Sequence, residues 1–195
     1  MIHLRDFPAP GYASFAVFSS KLMNSTDPTV SLLPVPAIEW PRIREMAARI
    51  WPEAYGALIT PEQIDYMLAQ MYSDEAFALD QKNGISYCWI QWKTERAGFI
   101  AFGPVQTGKP CFLHKCYLET TRQGNGLGSV AMEHLIRLLQ EKQVTALELR
   151  VNRGNETAIG FYRKNGFEVI GKDCLDIGNG FVMDDYLMQR RIGSA

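Results

Sequence analysis

Arg122-Gln123-Gly124-Asn125-Gly126-Leu127-Gly128-Ser129 is the stretch on which the reading of this chain turns. An apolar run, Cys111 to Leu118, precedes it. Behind it Leu127, Val130, Ala131, Leu135, Leu138 and Leu139 recur at helical spacing, with Glu133, Arg137, Gln140 and Glu141 on the opposite face. The glycines therefore stand where a strand turns into a helix. The first turn of a helix leaves backbone N–H groups without internal acceptors, and the helix dipole adds partial positive charge there. Glycine lets an anion come close to that backbone. Strand, glycine loop and helix start together make a phosphate cradle. A tight turn with no ligand is the plain alternative. A Walker loop is excluded, because no Gly-Lys-Ser/Thr follows. The dinucleotide fingerprint is also excluded, because its third glycine comes one residue early and too little chain remains for a doubly wound sheet.

Composition narrows the classes. The chain has 195 residues, enough for one well-filled domain and a tail. Hydrophobic residues make up 47% and charged residues 21%, as in ordinary globular proteins. The net charge of −1 offers no basic field for nucleic acid. No apolar run approaches the roughly 20 residues needed to span a bilayer, so no membrane partner is expected. Cys88, Cys111, Cys116 and Cys174 form no C-x-x-C pair, and only three histidines accompany them, so no metal site is expected. All four cysteines lie in apolar runs. They read as reduced, buried residues of a cytoplasmic protein.

Working outward, residues 1–36 are rich in Pro, Ser and Thr and show no period. They read as a poorly ordered tail without a secretory signal, ahead of a domain spanning 37–195. Ile43, Met46, Ala47 and Ile50 mark a helix with Pro41 in its first turn, expected to stop before Pro52. Thr60-Pro61-Glu62-Gln63 has the form of a capping box, followed by the stripe Ile64, Met67, Leu68 and Met71. Asn83-Gly84 marks a turn. Ile85 to Lys93, Ala97 to Phe102 and Phe112 to Leu118 read as strands joined by short links, hence antiparallel. Thr145 to Val151 follows a helical crossover and should run parallel to the strand before the cradle. Asn155 can cap a helix through Lys164, ended by Gly166. Phe167 to Ile170 and Phe181 to Leu187 read as the last strands, around a Gly178-Asn179-Gly180 turn. The result is an α/β fold: one domain with a mixed, mostly antiparallel central sheet flanked by helices.

The order of elements, with Gln123-x-x-Gly126-x-Gly128 opening a helix and Asn155-x-x-Ala158-x-x-Phe161-Tyr162-x-x-x-Gly166-Phe167 after the next strand, resembles the GCN5-related N-acetyltransferase (GNAT) superfamily over roughly residues 38 to 192. Trp51-Pro-Glu-Ala-Tyr55, Gln63-Ile-Asp-Tyr-Met-Leu68 and Val182-Met-Asp-Asp-Tyr186 are similar to a bacterial subgroup near the spermine/spermidine acetyltransferases. The resemblance implies acetyl-CoA as donor and a primary amine as acceptor. A small molecule such as a polyamine is the first choice, and a protein or peptide amine the second. Gln123, Gly124, Asn125, Gly126, Leu127, Gly128 and Ser129 match the pyrophosphate loop. Cys116, Tyr117 and Leu118 match the strand end whose backbone pairs with the pantetheine arm and polarises the thioester carbonyl, in the manner of an oxyanion hole. Asn155 matches the residue that contacts that arm. Tyr162 matches the tyrosine that protonates the leaving thiolate.

An alkylammonium has a pKa near 10.4 and must lose a proton before it attacks. Histone-type relatives carry a strand glutamate where this chain has Phe112. Ribosomal-protein N-terminal acetyltransferases carry one where it has Arg150. Candidate bases are therefore His114, Glu119 and Glu148, with a water relay preferred over any one of them. Asp184 and Asp185 point to opposite faces of their strand, so one can meet a cationic substrate while the other is solvated. Trp51, Tyr55, Tyr66 and Tyr72 are candidates for the acceptor cleft. A non-enzymatic acyl-CoA-binding regulatory domain is the rival reading, and a homodimer through paired strand edges is compatible with the pattern.

Overall fold

The computed structural model describes residues 29–193. Its strands are β1 (Val30–Pro34), β2 (Ser86–Trp92), β3 (Glu95–Gly103), β4 (Cys111–Leu118), β5 (Ala146–Asn152), β6 (Glu168–Gly178) and β7 (Phe181–Arg191). The helices are α1 (Trp40–Tyr55), α2 (Pro61–Met71), α3 (Asp74–Lys82), α4 (Leu127–Glu141) and α5 (Glu156–Lys164). The strands form one sheet in the order β1-β2-β3-β4-β5-β7-β6. Every pairing is antiparallel except β4 with β5, as the helical crossover through α4 requires. This is the mixed, mostly antiparallel α/β domain that the sequence implies.

Two cores lie on the two faces of the sheet. On one face, Leu127, Ala131, Leu135 and Leu139 of α4 and Ile159 and Tyr162 of α5 pack against Ile100, Leu113 and Leu149. On the other, Ile43, Ile50 and Trp51 of α1, Ile64 of α2 and Phe77 of α3 pack against Trp89 and Phe99. Each fully buried aliphatic side chain of this kind contributes about 1.5–3 kcal/mol.

The two faces meet at a wedge. β4 pairs with β5 only through Cys111↔Leu147, Phe112↔Glu148 and Leu113↔Leu149. Beyond that the strands separate, although β4 stays on β3 as far as Gly98↔Leu118 and β5 stays on β7 as far as Asn152↔Asp185. The cause is local. The β3 register passes from Phe102↔Leu113 to Ala101↔Lys115, leaving His114 as the extra residue of a bulge. A bulge bends its strand and changes which side chains face which way. The facing edges of residues 115–118 and 150–152 are left without ladder partners.

Several expectations are corrected. The tail read over residues 1–36 ends too late, because Val30–Pro34 is a strand with Val30 and Leu32 buried against the sheet; residues 1–28 lie outside the described residues. Helix α1 does not stop before Pro52 but runs through it to Tyr55, held by the buried Trp51. Thr60 caps α2 by accepting from the Gln63 N–H, but the Gln63 side chain donates to the Val182 carbonyl (3.0 Å), so the reciprocal half of the box is absent. β6 and β7 are eleven residues each, longer than read. Cys174 is exposed and Cys116 half-buried, so only Cys88 and Cys111 are the buried cysteines expected.

Candidate active site

A cavity of about 1850 Å³ runs through the wedge, lined from both faces of the sheet. The glycine loop forms one end. Gly126 is the N-cap of α4 at φ +77°, a left-handed conformation that side chains resist, and Gly124 lies at φ +79°. The first intrahelical bond runs from the Val130 N–H to the Gly126 carbonyl, so the amides of Leu127, Gly128 and Ser129 have no acceptor inside the helix. Gly128 is glycine for a different reason. A Cβ there would stand 3.0 Å from the Phe161 ring and 3.3 Å from Leu118, so its absence lets α4, α5 and the end of β4 close together. Gln123 ties the loop to the strand by donating to the Leu118 carbonyl (3.2 Å). Of the predicted loop residues, Gln123, Gly124, Gly126, Leu127, Gly128 and Ser129 line the cavity. Asn125 does not.

Cys116, Tyr117 and Leu118 line the cavity from β4, and Asn155 at the N-cap of α5 and Tyr162 within that helix line it too. The Asn155 carboxamide oxygen accepts from the Ala158 N–H (3.0 Å), fixing the start of α5. At the other end the Gly166 N–H reaches the Arg163 carbonyl and the Phe167 N–H reaches the Tyr162 carbonyl, each at 3.0 Å, with the Phe167 and Tyr162 rings in contact. That closed helix end holds Tyr162 in place. Burial raises the Tyr162 hydroxyl well above the ordinary phenol pKa, with Cys116 and Tyr55 adding to the effect. It is therefore un-ionised at neutral pH. Burial likewise pushes the Cys116 thiol up to about 12, which leaves it un-ionised and a poor nucleophile.

The opposite face supplies an aromatic and acidic wall. The Tyr55 and Tyr117 hydroxyls hydrogen-bond at 3.1 Å, and Trp51 packs against both rings. Tyr66 donates to the Ile177 carbonyl (2.7 Å), docking α2 on the long β6–β7 hairpin. Trp51, Tyr55 and Tyr66 thus line the cavity, while Tyr72 is wholly buried behind them. Of the two adjacent aspartates, Asp184 is committed to the exposed Arg153 at 2.8 and 2.9 Å. Asp185 lies in the cavity wall, only 4% exposed. Burial pushes its carboxyl up to about 6, against the pull of Arg150.

The three candidate bases separate. His114 lines the cavity, but its Nε2 is engaged with the Gly103 carbonyl at 3.0 Å. Glu119 points away to Arg49 (2.6 Å), and Glu148 accepts from Gln189 (2.7 Å); neither lines the cavity. The latter two are corrected: strand position alone does not show which side of a splayed, bulged strand meets the wedge. One group was missed. Lys115, 6% exposed in the cavity wall, pairs with Asp80 at 3.2 Å and lies over the Tyr72 and Tyr87 rings, and Tyr87 also donates to Asp80. A lysine within an apolar strand run was the available signal.

Comparison with known proteins agrees with this geometry. A profile of the Acetyltransferase (GNAT) family matches residues 40–167. A 60-residue segment is 37% identical to the peptidyl-lysine N-acetyltransferase YjaB of Escherichia coli (strain K12), covering 31% of this chain and 37% of that protein. The chain thus spans little more than a third of that relative's length. Among solved structures, the PaiA N-acetyltransferase of Thermoplasma acidophilum in complex with coenzyme A superposes with a TM-score of 0.68 at 20% identity, over 83% of this chain and 98% of that one. The ribosomal-protein-S18-alanine N-acetyltransferase of Escherichia coli superposes with a TM-score of 0.64 at 20% identity, over 85% and 96%. The family match, covering most of the chain and both halves of the wedge, places this protein in the acetyltransferase (GNAT) family.

Proposed function

We propose that this chain transfers an acetyl group from acetyl-CoA directly to a primary alkylamine, with the lysine side chain of a peptide as the preferred acceptor. One observation carries the reading: a single cavity is lined by the start of α4 with its unpartnered amides, by the separated ends of β4 and β5, and by Tyr162. The amides suit a pyrophosphate. The unpaired strand edges suit an extended arm bearing amide groups. Tyr162 suits protonation of the departing thiolate. Holding amine and thioester in one cavity converts a bimolecular step to an effectively unimolecular one. The high thiol pKa of Cys116 supports direct transfer over an acyl-cysteine intermediate.

The acceptor follows from charge. Glu53, Glu75, Asp80, Asp176 and Asp185 line the cavity on the α1–α3 and β6–β7 side, with Lys115 neutralised by Asp80, and this acidic excess suits a cation. YjaB acts on peptidyl lysine, and a lysine side chain presents such a cation on an aliphatic stem. A polyamine presents the same terminal group, and the subgroup resemblance of Trp51–Tyr55 and Val182–Tyr186 supports it as the second reading. The test is mass-spectrometric detection of the acetylated product after incubation with acetyl-CoA and either lysine-bearing peptides or spermidine. Acetylated peptide lysine is the expected product. Acetylated spermidine alone would move the assignment to the second reading.

A further inference from the structure

One carboxylate in the cavity differs from all its neighbours. Asp80 is held by Lys115 and Tyr87, Glu53 accepts from Thr120, and Asp176 accepts from the Gly178 N–H at 2.8 Å. Glu75 is exposed. Asp184 belongs to Arg153, and Asp173 to Arg150. Asp185 is only 4% exposed and lies in the cavity wall, with Arg150 as the cation whose field lowers its pKa against the effect of burial. A buried carboxylate is costly unless something cationic comes to it.

Its place in the fold is equally specific. Asp185 is the β7 residue opposite Asn152, the last residue of β5, where the wedge is open. Phe181 and Met183 pack on the α1–α2 core and Tyr186 packs on the α4–α5 core, so alternation sets Asp185 on the α1–α2 face. Tyr162 approaches from the other face. Tyr55, Tyr162 and Asp185 all line the same cavity.

From this geometry, and resting on the transferase reading above, we infer that Asp185 receives the acceptor's ammonium group and takes its proton before attack. The first N–H proton passes to the Asp185 carboxylate, freeing the nitrogen lone pair. That pair forms the C–N bond to the acetyl carbon, the C–S bond breaks, and its electron pair leaves on sulfur. The thiolate takes the Tyr162 proton. A second N–H proton, lost as the adduct collapses, replaces the one the phenol gave, and the first leaves Asp185 for solvent. One proton is released per turnover. The charged and titratable groups facing Asp185 are Arg150 from β5, Asp173 from β6, Asp184 on its own strand and Tyr55 from α1.

The test compares wild type with Asp185→Asn and Asp185→Glu on two acceptors: an alkylamine, protonated at neutral pH, and an acyl hydrazide, which is not. Asp185→Asn should lower kcat/KM for the alkylamine about 10²-fold or more and for the hydrazide about threefold or less, with acetyl-CoA affinity by calorimetry unchanged. Asp185→Glu should restore part of the alkylamine rate. In wild type, kcat/KM for the alkylamine should rise with pH through about 6 as the carboxylate ionises, and Asp185→Asn should lack that limb. Equal losses on both acceptors, or no loss on the alkylamine, would overturn the assignment while leaving the transferase reading intact. Wild type that binds acetyl-CoA yet acetylates neither acceptor would overturn the transferase reading and this assignment with it.

Discussion

Tyr162 and Asp185 open onto the same wedge from opposite faces of the sheet, one among the α4–α5 packing and the other on the α1–α2 side. Burial acts on both in the same direction, keeping the phenol protonated and making the carboxylate more basic. In the proposed reaction the acid for the leaving group and the acceptor for the incoming proton stand on opposite sides of the wedge where β4 splays from β5.

Tyr162→Phe separates chemistry from binding. The ring stays packed against Phe161 and Phe167, so the fold should hold. Turnover should fall about 10²-fold or more, with the acetyl-CoA dissociation constant little changed. Steady-state kinetics with calorimetry checks both halves, and unchanged turnover would remove Tyr162 from the reaction.

The loop glycines should fail in different ways. At Gly126 an added Cβ meets nothing within 4 Å, so valine faces mainly the left-handed backbone, a strain of about 1–2 kcal/mol. Gly126→Val should remain folded and lose CoA binding. At Gly128 the added atoms run into Phe161 and Leu118, so Gly128→Val should lower the unfolding midpoint more than Gly126→Val does. Thermal melts with and without CoA distinguish the two.

The Lys115–Asp80 pair should respond unequally to the loss of either partner. Lys115 is 6% exposed and Asp80 24%. Asp80→Asn leaves a buried cation without an anion and should cost about 3–5 kcal/mol. Lys115→Met leaves a carboxylate that still meets solvent and Tyr87, and should cost about 1 kcal/mol. Urea denaturation of the two variants gives the comparison, and equal losses would contradict the burial argument.

Asp185 also sets a pH dependence of stability. Its carboxyl titrates near 6 in the fold and near 3.9 unfolded, so between those values the native state binds more protons. Stability therefore falls as pH rises through that window, and the cost persists above it. Asp185→Asn should be more stable than wild type above pH 6, by about 1–3 kcal/mol, and the difference should vanish below about pH 4. Denaturation midpoints across that range check the sign.

What the sequence disclosed was local backbone chemistry. Gly124 and Gly126 take left-handed conformations, Asn155 caps α5 and Gly166 closes it, so these positions could be recognised from residue type. Elements with few buried residues were harder. α3 buries only Phe77, and its signal was Ser73 followed by Asp74 and Glu75 rather than an apolar stripe. β6 is an edge strand exposed along most of its length, so its alternation is faint beyond Ile170. β1 owes its place to pairing with β2, more than fifty residues away along the chain. The site divided on the same principle. Tyr162 and six of the seven loop residues line the cavity, whereas the placing of Glu119 and Glu148 off it depends on the bulge at His114 and the splay of β5, which no local pattern encodes.

The central claim is tested most directly by following free-thiol release from acetyl-CoA with and without a lysine-bearing peptide at pH 7.5. Release that depends on the peptide, and that falls about 10²-fold in Tyr162→Phe, is the predicted result. Tight acetyl-CoA binding with no amine-dependent release from any alkylamine would contradict the account and leave a regulatory acyl-CoA-binding domain as the better reading.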